Sequence, residues 1–296
     1  MLSTSQIQFL QAAVLSGDPV ADAWKDWQST GDIENLEPGL FALIPLLVQN
    51  LKQHQLAYPE RFNGVYKRAW ARNSLSLAAC NELVSAGLAP LWLGGLQARV
   101  AYPEGVLRPL DELECFLLPQ QVETAFHLLP ALGWRTSQKF LLRSNDAHRP
   151  AIYSARFTRS HLQIWLHWHK LPWGASLNQD ELPPHRQALY LLWSYAHRPD
   201  RILLTLADLY YIVQQPFDWD ALLSEARACH LQAWLADQFS LLQSVLRVTL
   251  PPEILVELRR PTPPLAMLSR NRSIRIILGY LRRGGLSALW WRALPK

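Results

Sequence analysis

Five residues in the middle of the chain could together carry phosphate chemistry: Gly94, Gly95, Arg108, Glu112 and Glu114. Glycines let backbone amide groups approach a phosphate closely. On a strand, carboxylates at positions i and i+2 point to the same face, where they can share divalent ions. Two such ions about 4 Å apart stabilise both the attacking and the leaving oxygen of an in-line displacement. The pattern predicts Glu112 and Glu114 as catalytic residues and Mg²⁺ ligands, and Gly94, Gly95 and Arg108 as nucleotide-binding residues.

Each of these residues also has a simpler interpretation. Glu112 and Glu114 could be solvated side chains on an edge strand, since any alternating strand can show such a pair. Gly94 and Gly95 form a tight turn whether or not phosphate binds. Arg108 could hold a phosphate through two hydrogen bonds, or pair with a nearby acid and hold its loop in place. Both interpretations of Arg108 stay open on the sequence.

Neighbouring polar residues add little to the metal hypothesis. Asp111 faces opposite to Glu112 on a regular strand, so it could add a ligand only if the strand begins with a bulge. His161, His167 and His169 share strand parity, but positions i, i+6 and i+8 spread over about 26 Å at roughly 3.3 Å per residue. We therefore expect no zinc site and assign His167 a structural role.

The elements around these residues form a mixed pattern of strands and helices. Leu91 to Leu93 are predicted as a buried strand that ends at the glycine pair, and Glu112 to Leu118 as a second strand. The other predicted elements are a short helix over 96–102, a loop over 103–105, a helix over 119–132, and strands over 140–142, 152–157 and 162–168. This order predicts a mixed sheet with helices.

Apolar residues at helical spacing predict helices before and after this sheet. A helix over 59–86 would have Trp70, Leu75, Leu77, Ala78 and Leu83 on its apolar face. Later helices are predicted over 189–197, 202–213, 219–229, 231–246 and 252–260. The expected fold class is α+β, with an N-terminal helical region (1–87), an α/β core (88–172), a C-terminal helical region (173–262) and a basic amphipathic segment (263–296).

Two motifs resemble those of a known group of proteins. The run Arg108-Pro109-Leu110-Asp111-Glu112-Leu113-Glu114 is similar to an Arg-Pro-Met-Gly run that leads into Asp-x-Asp. The run Ile164-Trp165-Leu166-His167-Trp168 is similar to a strand that ends in an acidic residue followed by Leu-His-Trp. The two patterns that these runs resemble are those of an uncharacterised nucleotidyltransferase family of the polymerase-beta-like superfamily. Weaker likeness extends over about residues 40 to 245.

The resemblance implies a nucleotidyltransferase-like mixed sheet flanked by helices, with Mg²⁺ as cofactor and a nucleoside triphosphate and an unknown acceptor as substrates. The chain departs from the family's pattern in its charged positions. Gly94 stands where lysine is common, Glu112 and Glu114 stand at the Asp-x-Asp positions, and Trp165 occupies the third acidic position, where it cannot bind a metal. Since Glu is one methylene longer than Asp, a site built for Asp would need its metals displaced or its backbone shifted. The alternative is a catalytically degenerate fold that acts as a binding or scaffold protein with a protein partner.

Charge suggests a third hypothesis. The chain of 296 residues has a formal net charge of +5, and its arginines concentrate after Leu258. They are Arg259, Arg260, Arg270, Arg272, Arg275, Arg282 and Arg283. A nucleic-acid or anionic-surface binder could use this segment, although the overall balance gives no strong nucleic-acid signal. Trp290 and Trp291 beside Arg292 could anchor a helix on a membrane surface, whereas a helix packed on the protein is the favoured interpretation.

Cysteine usage and the absence of sorting signals indicate a cytoplasmic protein. Cys80, Cys115 and Cys229 are widely spaced and form no CxxC pair, so we expect free thiols. The N-terminus has no basic region ahead of its apolar residues, which argues against a signal peptide. No apolar run approaches the roughly 18 residues of a membrane span. We therefore expect a soluble protein.

Overall fold

The computed structural model of this chain describes residues 2–136, 154–168, 182–196, 199–228 and 231–260. Over these residues the chain forms eleven α-helices and four β-strands, which confirms the α+β class. The helices are α1 (Thr4–Val14), α2 (Asp18–Thr30), α3 (Leu40–Gln53), α4 (Arg61–Ser85), α5 (Gly94–Ala98), α6 (Pro119–Ala131), α7 (Pro184–Ala196), α8 (Ile202–Ile212), α9 (Trp219–Ala228), α10 (Gln232–Leu246) and α11 (Pro252–Arg259). The strands are β1 (Leu91–Leu93), β2 (Leu113–Phe116), β3 (Ser154–Arg159) and β4 (Leu162–His167).

The four strands form one mixed sheet in the order β1-β2-β4-β3. Strand β2 runs antiparallel to β1 and parallel to β4, and β3 runs antiparallel to β4. In this register Glu114 lies beside Leu93 on one side and beside Trp165 on the other. Since β2 is an inner strand and all four of its residues are buried, the interpretation of Glu114 as a solvated edge residue is wrong.

The helices from both ends of the chain share one apolar core. Helix α1 packs against α2 and α3, which follow it, and against α8 and α10 from the second half of the chain. Three aromatic rings join α1 to α2. Trp24 stacks on Trp27 with 5.1 Å between ring centroids, and Phe9 of α1 meets Trp27 edge-on at 4.9 Å. The side chain of Gln11 also donates a hydrogen bond to the backbone oxygen of Val245 at 2.7 Å. The N-terminal helices are thus packed onto elements more than 200 residues later, as the sequence separation of 234 between Gln11 and Val245 shows.

A second core lies under the sheet. The C-terminal half of α4, helix α6 and the inward face of the strands form it, through residues such as Leu83, Val122, Phe157 and Ile164. Alternation along β4 buries Leu162, Ile164 and Leu166 and leaves the residues between them half-buried, as expected for a strand with one covered face. The sheet is therefore covered by one helix that precedes it in the chain and by one that lies between β2 and β3.

The predicted apolar face of α4 is largely wrong. The structure buries Leu83, but it leaves Trp70 61% and Leu75 57% exposed and instead buries the polar Asn73. The reason is a pair of hydrogen bonds: the Asn73 amide donates to the backbone oxygen of Arg108 at 2.7 Å and accepts from the backbone N–H of Leu110 at 2.8 Å. Satisfying these buried backbone groups sets the rotation of the helix against the sheet.

Other boundaries differ in small ways. The second predicted strand starts one residue later than expected, at Leu113, so Glu112 lies just before it. Helix α7 begins at Pro184 rather than at Leu189, because proline is compatible with the first helical turn. The predicted strand over 140–142, His169 and the basic segment after residue 262 lie outside the described residues. Within the described ranges, none of the helices combines the length and the apolar character needed to cross a bilayer.

The two cysteines in the described ranges, Cys80 and Cys115, are buried free thiols. Burial raises the pKa of Cys80 to about 12 and also raises that of Cys115. Because only the thiolate is a good nucleophile or metal ligand, both residues are inert members of the core. The third cysteine, Cys229, lies outside the described residues.

Candidate functional site

The glycine pair makes room for two charged side chains of the protein itself. Gly94 follows β1 with a positive φ of 58° and opens α5. A Cβ atom on Gly94 would lie 2.8 Å from a carboxylate oxygen of Glu114, and one on Gly95 would lie 2.0 Å from Nη1 of Arg108. The close approach that glycine permits here serves Glu114 and Arg108.

Arg108 is buried and paired with an acid. Its Nε donates to Oδ1 of Asp208 at 3.0 Å, and its Nη2 donates to Oδ2 at 2.7 Å. The Tyr102 hydroxyl donates to the same Oδ1 at 2.6 Å, and Nη1 of Arg108 donates to the backbone oxygen of Pro109. Burial disfavours the guanidinium charge, but the Asp208 carboxylate outweighs burial and raises the pKa of Arg108. Of the two uses left open by the sequence, the structure shows pairing with an acid.

Glu112 is neutralised by residues from two other elements. Arg201, which precedes α8, places Nη1 3.0 Å from Oε1 of Glu112. The indole Nε1–H of Trp165 on β4 donates to Oε2 at 2.9 Å. Only 8% of the Glu112 side chain is exposed. Trp165 stands where the family pattern has its third acidic residue. It thus supplies an N–H donor in place of a carboxylate, and this donor bonds to Glu112.

Glu114 is buried against Tyr190 of α7. The tyrosine hydroxyl donates to Oε2 of Glu114 at 2.7 Å. Burial raises the pKa of Glu114, and it prevails over the opposing effects of the Tyr190 hydrogen bond and of the positive charges of Arg201 and Arg108. A carboxyl group with a raised pKa resists the charged form that a metal ion needs as its ligand.

Replacing Glu114 with glutamine should stabilise the protein increasingly as pH rises. The folded pKa of Glu114 lies above its ordinary value of 4.5. The wild-type carboxyl therefore adds stability at pH below 4.5 that is lost as pH rises through the folded pKa. Glutamine stays neutral and can still accept from Tyr190, so the difference in Tm between Glu114→Gln and wild type should grow from pH 4.5 to pH 8. Glu123→Gln, at an exposed position, is the matched control. A Glu114→Gln variant whose Tm at pH 8 lies below that of wild type would contradict this reasoning.

All five predicted site residues line one small pocket. Gly94, Gly95, Arg108, Glu112 and Glu114 meet there. The remaining wall comes from α7, α8 and the residue before it, through Leu191, Ser194, Arg201, Leu204, Thr205 and Asp208. The cavity volume is about 30 Å³, which admits one or two water molecules but not a triphosphate.

The residues present do not fit the Mg²⁺ site that the resemblance implies. Mg²⁺ demands near-octahedral oxygen ligands at about 2.0–2.1 Å and usually keeps several waters. Here one carboxylate is held by a guanidinium and an indole N–H, and the other accepts from a tyrosine hydroxyl. Across the described ranges no group of three His, Cys, Asp or Glu side chains could hold a metal ion.

The residues that sequence reasoning missed are Asp208, Arg201, Tyr190 and Tyr102. One of them carried a signal: Asp208 is the single charged residue within α8, whose sequence is otherwise apolar or uncharged. An isolated acid in such a helix is seldom buried without a partner. The other three sit in segments whose spacing gives no sign of the contacts they make.

The histidines do not form a metal cluster within the described residues. His161 lies in the turn between β3 and β4, where its backbone oxygen accepts from Nη2 of Arg72 at 3.0 Å. His167 ends β4 beside Phe116 of β2, and its backbone oxygen accepts from the N–H of Leu117 at 2.8 Å. These roles are structural.

A larger cavity lies away from these residues. Its volume is about 410 Å³, and it lies between α5, the start of α7 and the end of α8. Its walls include Gln97, Gln187 and Gln215 together with apolar and proline residues. None of the five predicted site residues lines it.

Comparison with known proteins gives no family or relative: no family model matches the chain, and no curated protein does.

Proposed function

We propose that the chain is a nucleotidyltransferase-like protein whose carboxylate site is closed by its own side chains and which acts as a binding or scaffold protein. One observation carries the proposal: Arg201 and Trp165 occupy the carboxylate of Glu112 at 3.0 and 2.9 Å. A positive charge and a donor of the chain itself thus replace the cation that the resemblance implies.

The second carboxylate supports the same conclusion. Glu114 is buried, and burial raises its pKa. Mg²⁺ binding would require both carboxylates to be charged and accessible to the ion. Glu114 instead accepts a hydrogen bond from the Tyr190 hydroxyl in a buried position. Displacing Arg201 would also break its 3.0 Å ion pair with Glu112, which adds to the cost of binding a metal.

Arg108 supports the proposal from the phosphate side. Its Nε and Nη2 are both engaged by Asp208, and its Nη1 donates to a backbone oxygen. A phosphate could reach this guanidinium only by displacing a buried carboxylate. Arg108 therefore holds the loop between α5 and β2 against α8.

We also propose a reducing cytoplasm as the compartment of the protein, on the basis of its free thiols.

A second candidate function is Mg²⁺-dependent transfer of a nucleotidyl or phosphoryl group from a nucleoside triphosphate to an unknown acceptor. It is favoured by the meeting of Gly94, Gly95, Arg108, Glu112 and Glu114 in one pocket. This function would require Arg201, whose side chain is 32% exposed, to leave Glu112. Glu112 and Glu114 would then hold the metal, and the two glycines would approach the phosphates.

Calorimetric titration with ATP, GTP, CTP and UTP, with and without Mg²⁺, separates the two candidates. We expect no Mg²⁺-dependent binding, because Arg201 and Trp165 already occupy Glu112. Glu112→Ala should behave as wild type does. Mg²⁺-dependent binding that disappears in Glu112→Ala, or turnover abolished by Glu114→Ala, would establish the transferase instead.

A further inference from the structure

Two arginines flank Asp111, the residue before Glu112 of the carboxylate pocket. Arg72 on α4 places Nη1 3.7 Å from Oδ1 of Asp111, and Arg201 places Nη2 3.8 Å from Oδ2. All three side chains reach the surface, with exposed fractions of 37% for Arg72, 32% for Arg201 and 37% for Asp111. Solvent can therefore reach the space between the two guanidinium groups.

The Asp111 carboxylate lies beyond hydrogen-bonding distance of both guanidinium groups. A charge-assisted hydrogen bond between a guanidinium and a carboxylate is about 2.7–2.9 Å long, and both distances here exceed it by nearly an ångström. The Nε of Arg72 is also buried with no hydrogen-bond partner. The aspartate balances charge but leaves the hydrogen-bonding capacity of the two arginines partly unused.

The guanidinium groups are held in place independently of Asp111's carboxylate. Nη2 of Arg72 donates to the backbone oxygens of Asp111 and His161, each at 3.0 Å. Arg201 is fixed from the other side by its 3.0 Å contact with Glu112. An anion that displaces the Asp111 carboxylate would thus meet two arginines that are already oriented, which lowers the entropic cost of binding.

The start of α8 also favours an anion. Arg201 is in addition the N-cap residue of α8, and no side chain caps that helix end. The positive end of the helix dipole therefore adds to the guanidinium charges.

We propose that Arg72 and Arg201 bind a phosphate group of a small ligand without a divalent metal, in the place that the Asp111 carboxylate now underfills. A phosphate is larger than a carboxylate, carries up to two negative charges and offers oxygens to both guanidinium forks at once. This inference rests on the proposed function, since it places a ligand that arrives without Mg²⁺ beside the closed carboxylate site.

Titration with pyrophosphate in the presence of EDTA tests the inference on the full chain. Wild-type protein should bind pyrophosphate, and Arg72→Gln should bind it about tenfold more weakly or worse, because one charged donor group is lost. Asp111→Asn should bind it several-fold more tightly, since it removes the competing negative charge. The exposed Arg68→Gln, one turn away on the same helix, is the matched control for loss of a positive charge and should bind as wild type does.

The gain of affinity in Asp111→Asn guards the test against misfolding, because an unfolded variant cannot bind more tightly than wild type. Absence of pyrophosphate binding, or equal effects of Arg72→Gln and Arg68→Gln, would overturn the inference. These outcomes are distinct from failure of the proposed function, which is measured as Mg²⁺-dependent nucleotide binding or turnover. EDTA removes that activity from the pyrophosphate titration.

Discussion

Replacing Asp208 with alanine should lower the free energy of unfolding by about 3–5 kcal/mol, the largest effect that we expect from a single residue of the site. Asp208 is 1% exposed and neutralises the buried Arg108 through two hydrogen bonds. Without it, the buried guanidinium loses the carboxylate that accepts two of its hydrogen bonds. Urea denaturation followed by tryptophan fluorescence measures the loss, and Tm should fall on the order of 10 °C.

Two further variants show whether the loss comes from an unpaired charge. Tyr102→Phe removes one neutral donor to the Asp208 carboxylate and should cost about 1.5–2 kcal/mol, less than the loss of Asp208 itself. The double variant Arg108→Met, Asp208→Leu removes both charges and should recover much of the stability, since buried pairs can often be replaced by apolar residues of similar volume. A double variant as unstable as Asp208→Ala would show that the charge pair itself stabilises the fold.

Gly95→Ala should lower the free energy of unfolding by about 3 kcal/mol through overpacking. The added Cβ would lie 2.0 Å from Nη1 and 2.5 Å from Cζ of Arg108. A flexible arginine could swing away, but Asp208 holds this guanidinium at 2.7 and 3.0 Å in a buried position. Either the turn at Gly95 must shift or the ion pair of Arg108 with Asp208 must break, and both lie at the centre of the site.

Gly64→Ala is the matched control, measured by the same denaturation. Gly64 lies in α4, where an added Cβ would find its nearest neighbour at 3.8 Å, the end of the Arg68 side chain. Alanine there should stabilise the protein by about 0.5–1 kcal/mol, because it restricts the unfolded chain and has the higher helix propensity. Stability unchanged in Gly95→Ala would mean that Arg108 is not fixed as the structure shows.

Local patterns in the sequence predict much of the fold. The run Leu91 to Leu93, the glycine pair that ends it and the alternation over β4 all follow short-range rules, and the structure confirms them. Helix α4 shows where such rules fail. Its rotation is set by buried hydrogen bonds from Asn73 to residues 35 and 37 positions later. These long-range bonds cannot be predicted from the helical spacing of its apolar residues.

The site could be located from the sequence, but its contacts could not. The five predicted residues do line one pocket, because the register of β1 and β2 brings the glycine turn beside Glu114. The partners that decide its chemistry come from α7, α8 and β4, and Asp208 lies 100 residues after Arg108. Long-range ion pairs of this kind depend on tertiary packing. The roles predicted for these residues in nucleotide and metal binding therefore remain predictions, to be decided by the titrations.

The contact between Gln11 and Val245 has a consequence for synthesis on the ribosome. At about 5–20 residues per second, the residues that separate the two take roughly 10–50 s to be translated. During that time α1 to α3 have no partner from α8 or α10 to cover the faces that these helices later bury. The rings of Phe9, Trp24 and Trp27 come from α1 and α2 and pack on one another, but the faces of α1 and α3 that meet the later helices stay exposed in the nascent chain. Chaperones bind surfaces of this kind. The yield of the protein on expression should therefore depend on chaperones more than that of a protein whose first helices need no later element to cover them.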